Sequence, residues 1–290
     1  MIRLGLVGRG PWGQRIARTV RAPTAPFGAE LAWQIGRDIS LHQQIRQQPV
    51  DGLLIATPPA THAALVLTAW GHELPVFVEK PFTCSLWEAA PLEATRGKTP
   101  VTLVNHVHLF HPAYVELKRL LRIRGQFVTG VTSHGGGDGP FRADVPPLWD
   151  YGPHDVAFAI DLTGSPDLVE AARVPSETTC GTNYELRLHS AGVTALLRVG
   201  SGFRVKTRRL VVTTAREVYS LDDRSEWPLQ SRGDGTLPVK DRTPPLEAAL
   251  RCFVEAIEGK YDPRLGINLA LRVTRTLDAA ERLLAEPSPS

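Results

Sequence analysis

The chain has 290 residues, 42% hydrophobic and 22% charged, with a formal net charge of +3. That length holds one large domain or two ordinary ones, and the composition supports a packed core without disulfides or metals. The charge is too small and too evenly spread to point to nucleic acid, and no segment approaches the ~18 uninterrupted apolar residues of a membrane span. Cys84, Cys180 and Cys252 lie far apart without metal-ligand or disulfide spacing, so no metal site is expected and free thiols in a reducing compartment are. The opening apolar run is broken by glycine within eight residues, unlike a signal peptide, and the expected location is the cytoplasm.

In chain order, Arg3 to Val7 reads as a buried strand, Pro11 to Arg21 as a helix, Leu31 to Ile35 as a strand and Leu41 to Gln48 as a short polar helix. Gly52 to Ala56 is the next strand, Thr61 to Trp70 a helix and Pro75 to Val78 a strand. Ser85 to Thr95 is a helix with Ser85 as N-cap and Glu88 at capping-box spacing, and Val101 to Val104 is a strand. This alternation implies a doubly wound parallel sheet. After Asn105 the pattern changes. Tyr114 to Arg124 and Asp150 to Thr163 read as helices, and Phe127 to His134 as a strand followed by a glycine-rich loop, Gly135 to Gly139. Strand-like runs follow at Asp167 to Val174, Tyr184 to His189, Val193 to Val199, Arg209 to Thr214 and Glu217 to Leu221. Consecutive strands with few helices suggest an antiparallel sheet. Pro244 to Glu258 and Leu265 to Leu284 close the chain as amphipathic helices, with Pro287 to Ser290 expected to fray. The expected fold is thus an α/β Rossmann domain, residues 1–105, and an α+β domain, residues 106–290, whose last helix is a candidate to pack back on the first. The basic stretches Lys118 to Arg124 and Arg204 to Arg209 read as solvated faces.

Gly8-Arg9-Gly10-Pro11-Trp12-Gly13 follows a strand and opens a helix, the setting that gives G-x-G-x-x-G its meaning. The first glycine permits the tight turn, the second lets backbone approach a pyrophosphate, and the third lets helix and strand pack closely. The helix N-terminus presents free N–H groups to the anion.

This loop, then Ala56-Thr57-Pro58-Pro59-Ala60-Thr61-His62, then Glu79-Lys80-Pro81, in that order, resembles the Gfo/Idh/MocA oxidoreductases. Leu148 to Asp155 resembles the family's D-x-G-x-H segment, and Phe253 to Gly259 matches its closing helix. The resemblance implies a Rossmann domain followed by an open, mostly antiparallel sheet, with nicotinamide at their junction. It implies hydride transfer between NAD(P) and a carbon bearing hydroxyl or carbonyl, usually on a sugar or cyclitol. On that basis Lys80, Asp150 and His154 are the catalytic candidates. His154 is the general acid/base, Lys80 polarises the reacting oxygen and Asp150 positions substrate or Lys80. Cofactor contacts are expected from Gly8, Gly10, Pro11, Trp12, Gly13, Gly36, Arg37, Thr57, Pro58, His62, Glu79 and Lys80. The family often carries an arginine after the last Rossmann strand. Here that arginine is missing, and His106 or His108 is the candidate to line the substrate site, with structural hydrogen bonding at least as good an account.

Two departures bear on the adenosine end. The acidic residue that normally receives the ribose hydroxyls is replaced by Gly36, followed by Arg37, which favours a 2′-phosphate and so NADP over NAD, with Asp38 as the alternative anchor. Residues 37 to 50 leave room for one helix where the family fits a helix, a strand and a second helix. The alternatives to a sugar, nucleotide-sugar or cyclitol dehydrogenase are a catalytically silent sensor or partner subunit, and a reductase of an imine or enone. A homo-oligomer, dimer or tetramer, formed through the open sheet is a family-level expectation.

Overall fold

A computed structural model describes residues 1–22, 28–95, 97, 99–139, 142–226, 228–262 and 266–285. The contact pattern divides the chain into two units, Met1–Val107 with Thr243–Thr274, and His108–Arg242 with the residues from Arg275 on. The stretch Thr243–Thr274 thus goes with the first unit, which a single cut after residue 105 does not do.

The first unit is built on five strands: β1 (Ile2–Val7), β2 (Ala29–Ile35), β3 (Gly52–Ile55), β4 (Val76–Glu79) and β5 (Thr102–Asn105). All pair in parallel, in the order β2-β1-β3-β4-β5. Every residue of β3, β4 and β5 is buried, the signature of strands covered on both faces. Among the described residues five α-helices belong to this unit in whole: α1 (Pro11–Arg21), α2 (Leu41–Gln47), α3 (His62–Gly71), α4 (Leu86–Ala94) and α7 (Pro245–Ile257). One face packs Val7, Ile35, Leu53, Ile55, Val76, Val78 and Val104 against residues of α2, α3 and α4 and against Ile267, Ala270 and Leu271 at the start of α8 (Ile267–Ala285). On the other face Phe253 of α7 meets Phe77 with ring centroids 5.8 Å apart. Helix α4 opens as read: Ser85 Oγ accepts the Glu88 N–H at 3.2 Å, and the Glu88 carboxylate accepts the Cys84 N–H at 2.9 Å.

Between β2 and β3 there is one helix, α2. Strand β2 is therefore the sheet edge, and α2 braces it. The Trp33 indole donates to Gln48 O at 2.9 Å and the Gln48 amide to Ala32 O at 3.4 Å.

The second unit holds an eight-stranded sheet in the order β13-β12-β11-β10-β6-β9-β8-β7. Its strands are β6 (Val128–Asp138), β7 (Leu168–Val174), β8 (Asn183–Ser190), β9 (Val193–Gly200), β10 (Gly202–Thr214), β11 (Val218–Asp222), β12 (Leu229–Ser231) and β13 (Gly235–Thr236). Only the β6–β9 pair is parallel. Helix α6 (Pro147–Thr163) covers one face and α5 (Pro112–Ile123) packs near β11. Among the described residues no helix is long and apolar enough to cross a membrane.

Three expectations are corrected. The glycines after His134 do not form a loop: β6 runs on through Gly135, Gly136 and Gly137 to Asp138. A side chain at Gly135 would strike the Asp155 carboxylate, and one at Gly136 would strike Gly200 O and the Phe203 ring. The glycines thus serve close approach rather than a turn. Strand β10 begins at Gly202, not Arg209, with its register to β6 broken between Gly202 and Thr207. Strands β12 and β13 were not expected. The two basic stretches are paired as well as solvated: Lys118 with Asp161 at 2.9 Å, Arg119 with Glu116 at 2.7 Å, Arg124 with Asp234 at 2.8 Å and Arg208 with Asp223 at 3.3 Å. Leu265 and the tail Pro287 to Ser290 lie outside the described residues.

Asp155 on α6 is buried, and Ser133 of β6 donates a hydrogen bond to its carboxyl. Burial pushes its pKa up to about 7, against a smaller opposing pull from Arg208. The native state therefore keeps a proton that the unfolded chain releases near pH 4, and stability falls as pH rises from about 4 to 7. A shift of that size corresponds to about 4 kcal/mol. Urea unfolding of Asp155→Asn should lack this fall, so that the variant gains on the wild type between pH 5 and pH 8. A difference between the two proteins that is the same at both pH values would contradict it.

Candidate functional site

The first unit places the buried polar residues Glu79, Asn105 and His106 at or just after the carboxyl ends of its strands, where doubly wound sheets hold ligands. β1 ends at Val7, and Gly8 turns the chain with φ of +128°, in the region that favours glycine. A Cβ on Gly8 would collide with Ala56 O, and one on Gly13 with Gly8 O. A Cβ on Gly10 would meet nothing within 4 Å. Gly10 is the N-cap of α1 and offers no side chain to the first turn, Pro11 occupies its start, and the first turn carries no acidic residue. The result is an uncapped eleven-residue helix start beneath open space. These features fit the pyrophosphate of a dinucleotide.

β2 ends at Ile35, so Gly36 does follow the strand, and Arg37 is exposed. Arg9, the variable residue between the first two glycines, reaches over this strand end. It donates to Gln34 O at 3.4 Å and lies 3.7 Å from the Asp38 carboxylate. Asp38 is thus engaged with Arg9.

Thr57 and Pro58 follow β3. The Thr57 and Thr61 hydroxyls are 2.7 Å apart, and Thr61 donates to Pro58 O at 2.7 Å. His62 is fully buried, with Nδ1 2.9 Å from Pro81 O and Nε2 3.0 Å from Thr57 O. Both ring nitrogens are engaged by the chain itself. The residue expected as a cofactor contact therefore ties the loop after β3 to the loop after β4.

Glu79 closes β4 and pairs in register with Asn105, the last residue of β5. The Asn105 amide donates to Glu79 Oε1 at 2.7 Å. Burial raises the Glu79 pKa, opposed by that amide, by the Trp12 indole and by Lys80. Lys80 and His106 come next on the two adjacent strands, and the Lys80–Pro81 peptide is cis. His106 is 2% exposed, and neither of its ring nitrogens has a hydrogen-bond partner. Asn105 Oδ1 is likewise buried and unpartnered. Each such atom costs about 1–3 kcal/mol unless something supplies the missing bond. Burial first, and the Lys80 charge second, lower the His106 pKa to about 4, so its ring is neutral near pH 7.

In the second unit, Asp150 and His154 lie one turn apart on α6, with Asp150 in the first turn, where the helix dipole favours a carboxylate. Arg142 lies 3.7 Å from Asp150. The His154 ring meets His108 edge-on, with centroids 4.2 Å apart. Arg208 of β10 lies 3.5 Å from His108 Nδ1 and 3.3 Å from Asp223. Sequence reasoning passed over Asp155 and Arg208. Asp155 stood next to the D-x-G-x-H segment, whereas Arg208 reaches His108 across 100 residues, a proximity only the fold creates.

The chain is similar to known oxidoreductases in sequence and in fold. The Gfo/Idh/MocA family model, an oxidoreductase family with an NAD-binding Rossmann fold, matches residues 12–106. A solved structure assigned as an oxidoreductase from Magnetospirillum magnetotacticum MS-1 is 32% identical, with a TM-score of 0.84, over 96% of this chain and 99% of that one. The scyllo-inositol 2-dehydrogenase (NAD(+)) of Bacillus subtilis is 28% identical over 41% of this chain and 39% of its own. UDP-N-acetylglucosamine 3-dehydrogenase GnnA from Acidithiobacillus ferrooxidans shares the fold, with a TM-score of 0.82 at 21% identity over 98% of this chain and 97% of that one. The chain belongs to the Gfo/Idh/MocA family of NAD(P)-dependent oxidoreductases.

Proposed function

We propose that this oxidoreductase moves a hydride between a nicotinamide cofactor, preferentially NADP, and the hydroxyl or carbonyl carbon of a sugar, nucleotide sugar or cyclitol. The observation that carries this reading is local to one sheet edge: the uncapped helix start at Gly10 and the side chain of Lys80 stand at the carboxyl ends of strands in the same five-stranded sheet. Relatives named for inositol and for a nucleotide sugar support the substrate class.

The bound nicotinamide supplies the hydride acceptor in oxidation and the donor in reduction. The backbone N–H groups after Gly10 would hold the pyrophosphate, and Gly36 with Arg37 the ribose 2′-phosphate. Oxidation removes a hydride from carbon and a proton from its hydroxyl. Lys80 donates a hydrogen bond to that oxygen and stabilises negative charge on it. His154 takes the proton and returns it in the reverse direction. Asp150 accepts hydrogen bonds from substrate hydroxyls. Glu79 positions the strand end through Asn105. We further propose a cytoplasmic homo-oligomer joined through the sheet face that carries Thr132, Leu196 and Val211, neighbours in register on β6, β9 and β10.

Two experiments test this reading. Lys80→Ala and His154→Ala should each lower kcat by on the order of 100-fold or more while NADPH fluorescence titrations stay within a few-fold of wild type. Undiminished turnover in both variants would remove the catalytic assignment. Arg37→Ala should weaken NADPH binding about tenfold and leave NADH binding unchanged, as loss of one exposed charged contact to phosphate predicts. Equal effects on both cofactors would exclude a 2′-phosphate contact.

A further inference from the structure

The unpartnered buried atoms at the end of β5, Asn105 Oδ1 and both His106 ring nitrogens, make no hydrogen bond that holds the fold. Neighbouring buried polar groups are well bonded: Glu79 at the end of β4 to Asn105 through the amide, and His62 at the start of α3 to two carbonyl oxygens. His106 differs. Its ring is buried, neither nitrogen is bonded, and it follows Asn105 as Lys80 follows Glu79 in paired strands. A fold that needed only bulk here would be served by an apolar residue, which would bring no unpaired polar atoms into the interior.

We propose that His106 is a substrate-contacting, specificity-determining residue whose imidazole hydrogen-bonds a hydroxyl next to the reacting carbon of a polyol, while Lys80 addresses the reacting oxygen itself. This rests on the reading of Lys80 given above and adds the requirement for a neighbouring hydroxyl. The ring has one N–H donor and one bare nitrogen acceptor in its neutral form, and Asn105 Oδ1 adds a second acceptor. A vicinal diol, whose hydroxyls both give and take hydrogen bonds, matches this set. An isolated ketone or an alkene does not. The low pKa keeps the ring neutral beside the Lys80 cation, so the two residues do not repel as like charges. Because the site's polar atoms are otherwise left unpaired, an analogue lacking the hydroxyl is discriminated against more strongly than size alone would achieve.

The test uses the full-length protein with His106→Leu, which keeps bulk and removes both nitrogens, and His106→Gln, which restores a donor and an acceptor. Wild type is first screened with NAD+ and NADP+ on myo-inositol, scyllo-inositol, D-glucose and UDP-D-glucose. The fastest substrate is then compared with its analogue lacking one hydroxyl next to the oxidised carbon. Wild type should prefer the parent by on the order of 100-fold in kcat/KM, and His106→Leu by no more than a few-fold, with His106→Gln between them. Cofactor affinity should be unchanged in both variants, and the ligand-free His106→Leu protein should melt no lower than wild type. If the parent-to-analogue ratio is the same in all three proteins, the inference is overturned. If His106→Leu instead weakens NAD(P)H binding and leaves that ratio intact, the ring contacts cofactor and the inference is again overturned. Turnover of none of the four substrates by a wild type that binds cofactor would contradict the polyol reading itself.

Discussion

The first unit depends on how closely backbone can approach backbone at the end of β1. Gly8 sits against Ala56 O, and Gly13 sits against Gly8 O, at separations that no side chain survives. These two contacts fix where α1 starts and which way its first N–H groups point. Gly10 is under no such pressure, because its α-carbon faces open space. Two of the three glycines are therefore explained by packing. The third is not, and the space above it is where the proposed pyrophosphate would lie.

The strand ends divide their labour in the same way. His62 and Glu79 are buried polar residues whose partners lie within the chain, and they hold neighbouring loops in fixed positions. His106 and Asn105 Oδ1 are buried polar groups without such partners. In the second unit a connected set runs through His154, His108, Arg208 and Asp223, with Asp155 buried against Ser133. Environment shifts each group's proton affinity: burial lowers the His106 pKa and raises those of Glu79 and Asp155.

Much of the architecture was legible because parallel strands covered on both faces read as short apolar runs. Gly52–Ile55 and Val76–Glu79 are entirely buried, and the helix that follows the second of them opens at a recognisable cap, Ser85 with Glu88. The single helix between β2 and β3 could be counted from chain length alone. The glycines of β6 were misread because the same residue that permits a turn also permits a side chain or carbonyl to press on a strand, and sequence does not say which. β12 and β13, three and two residues long, are too short to show a period. At the site, motif order pointed to Lys80, Asp150 and His154. The engagement of both His62 nitrogens, the isolation of His106 and the reach of Arg208 to His108 are products of tertiary packing, and no local pattern encodes them.

The account rests on the space above Gly10 being the pyrophosphate site, and Gly10→Asp tests it most directly. Gly10 has φ of −68° and ψ of 176°, a backbone that any residue adopts, and aspartate is a favoured N-cap. The fold should therefore be retained, with a melting temperature at or above that of wild type. A carboxylate placed there would cap the free N–H groups and repel a phosphate. NADH and NADPH fluorescence titrations should show affinity for both cofactors falling by on the order of 100-fold or more, as loss of a charge-assisted anion site together with direct repulsion predicts. A folded Gly10→Asp protein that binds either cofactor as tightly as wild type would contradict the account.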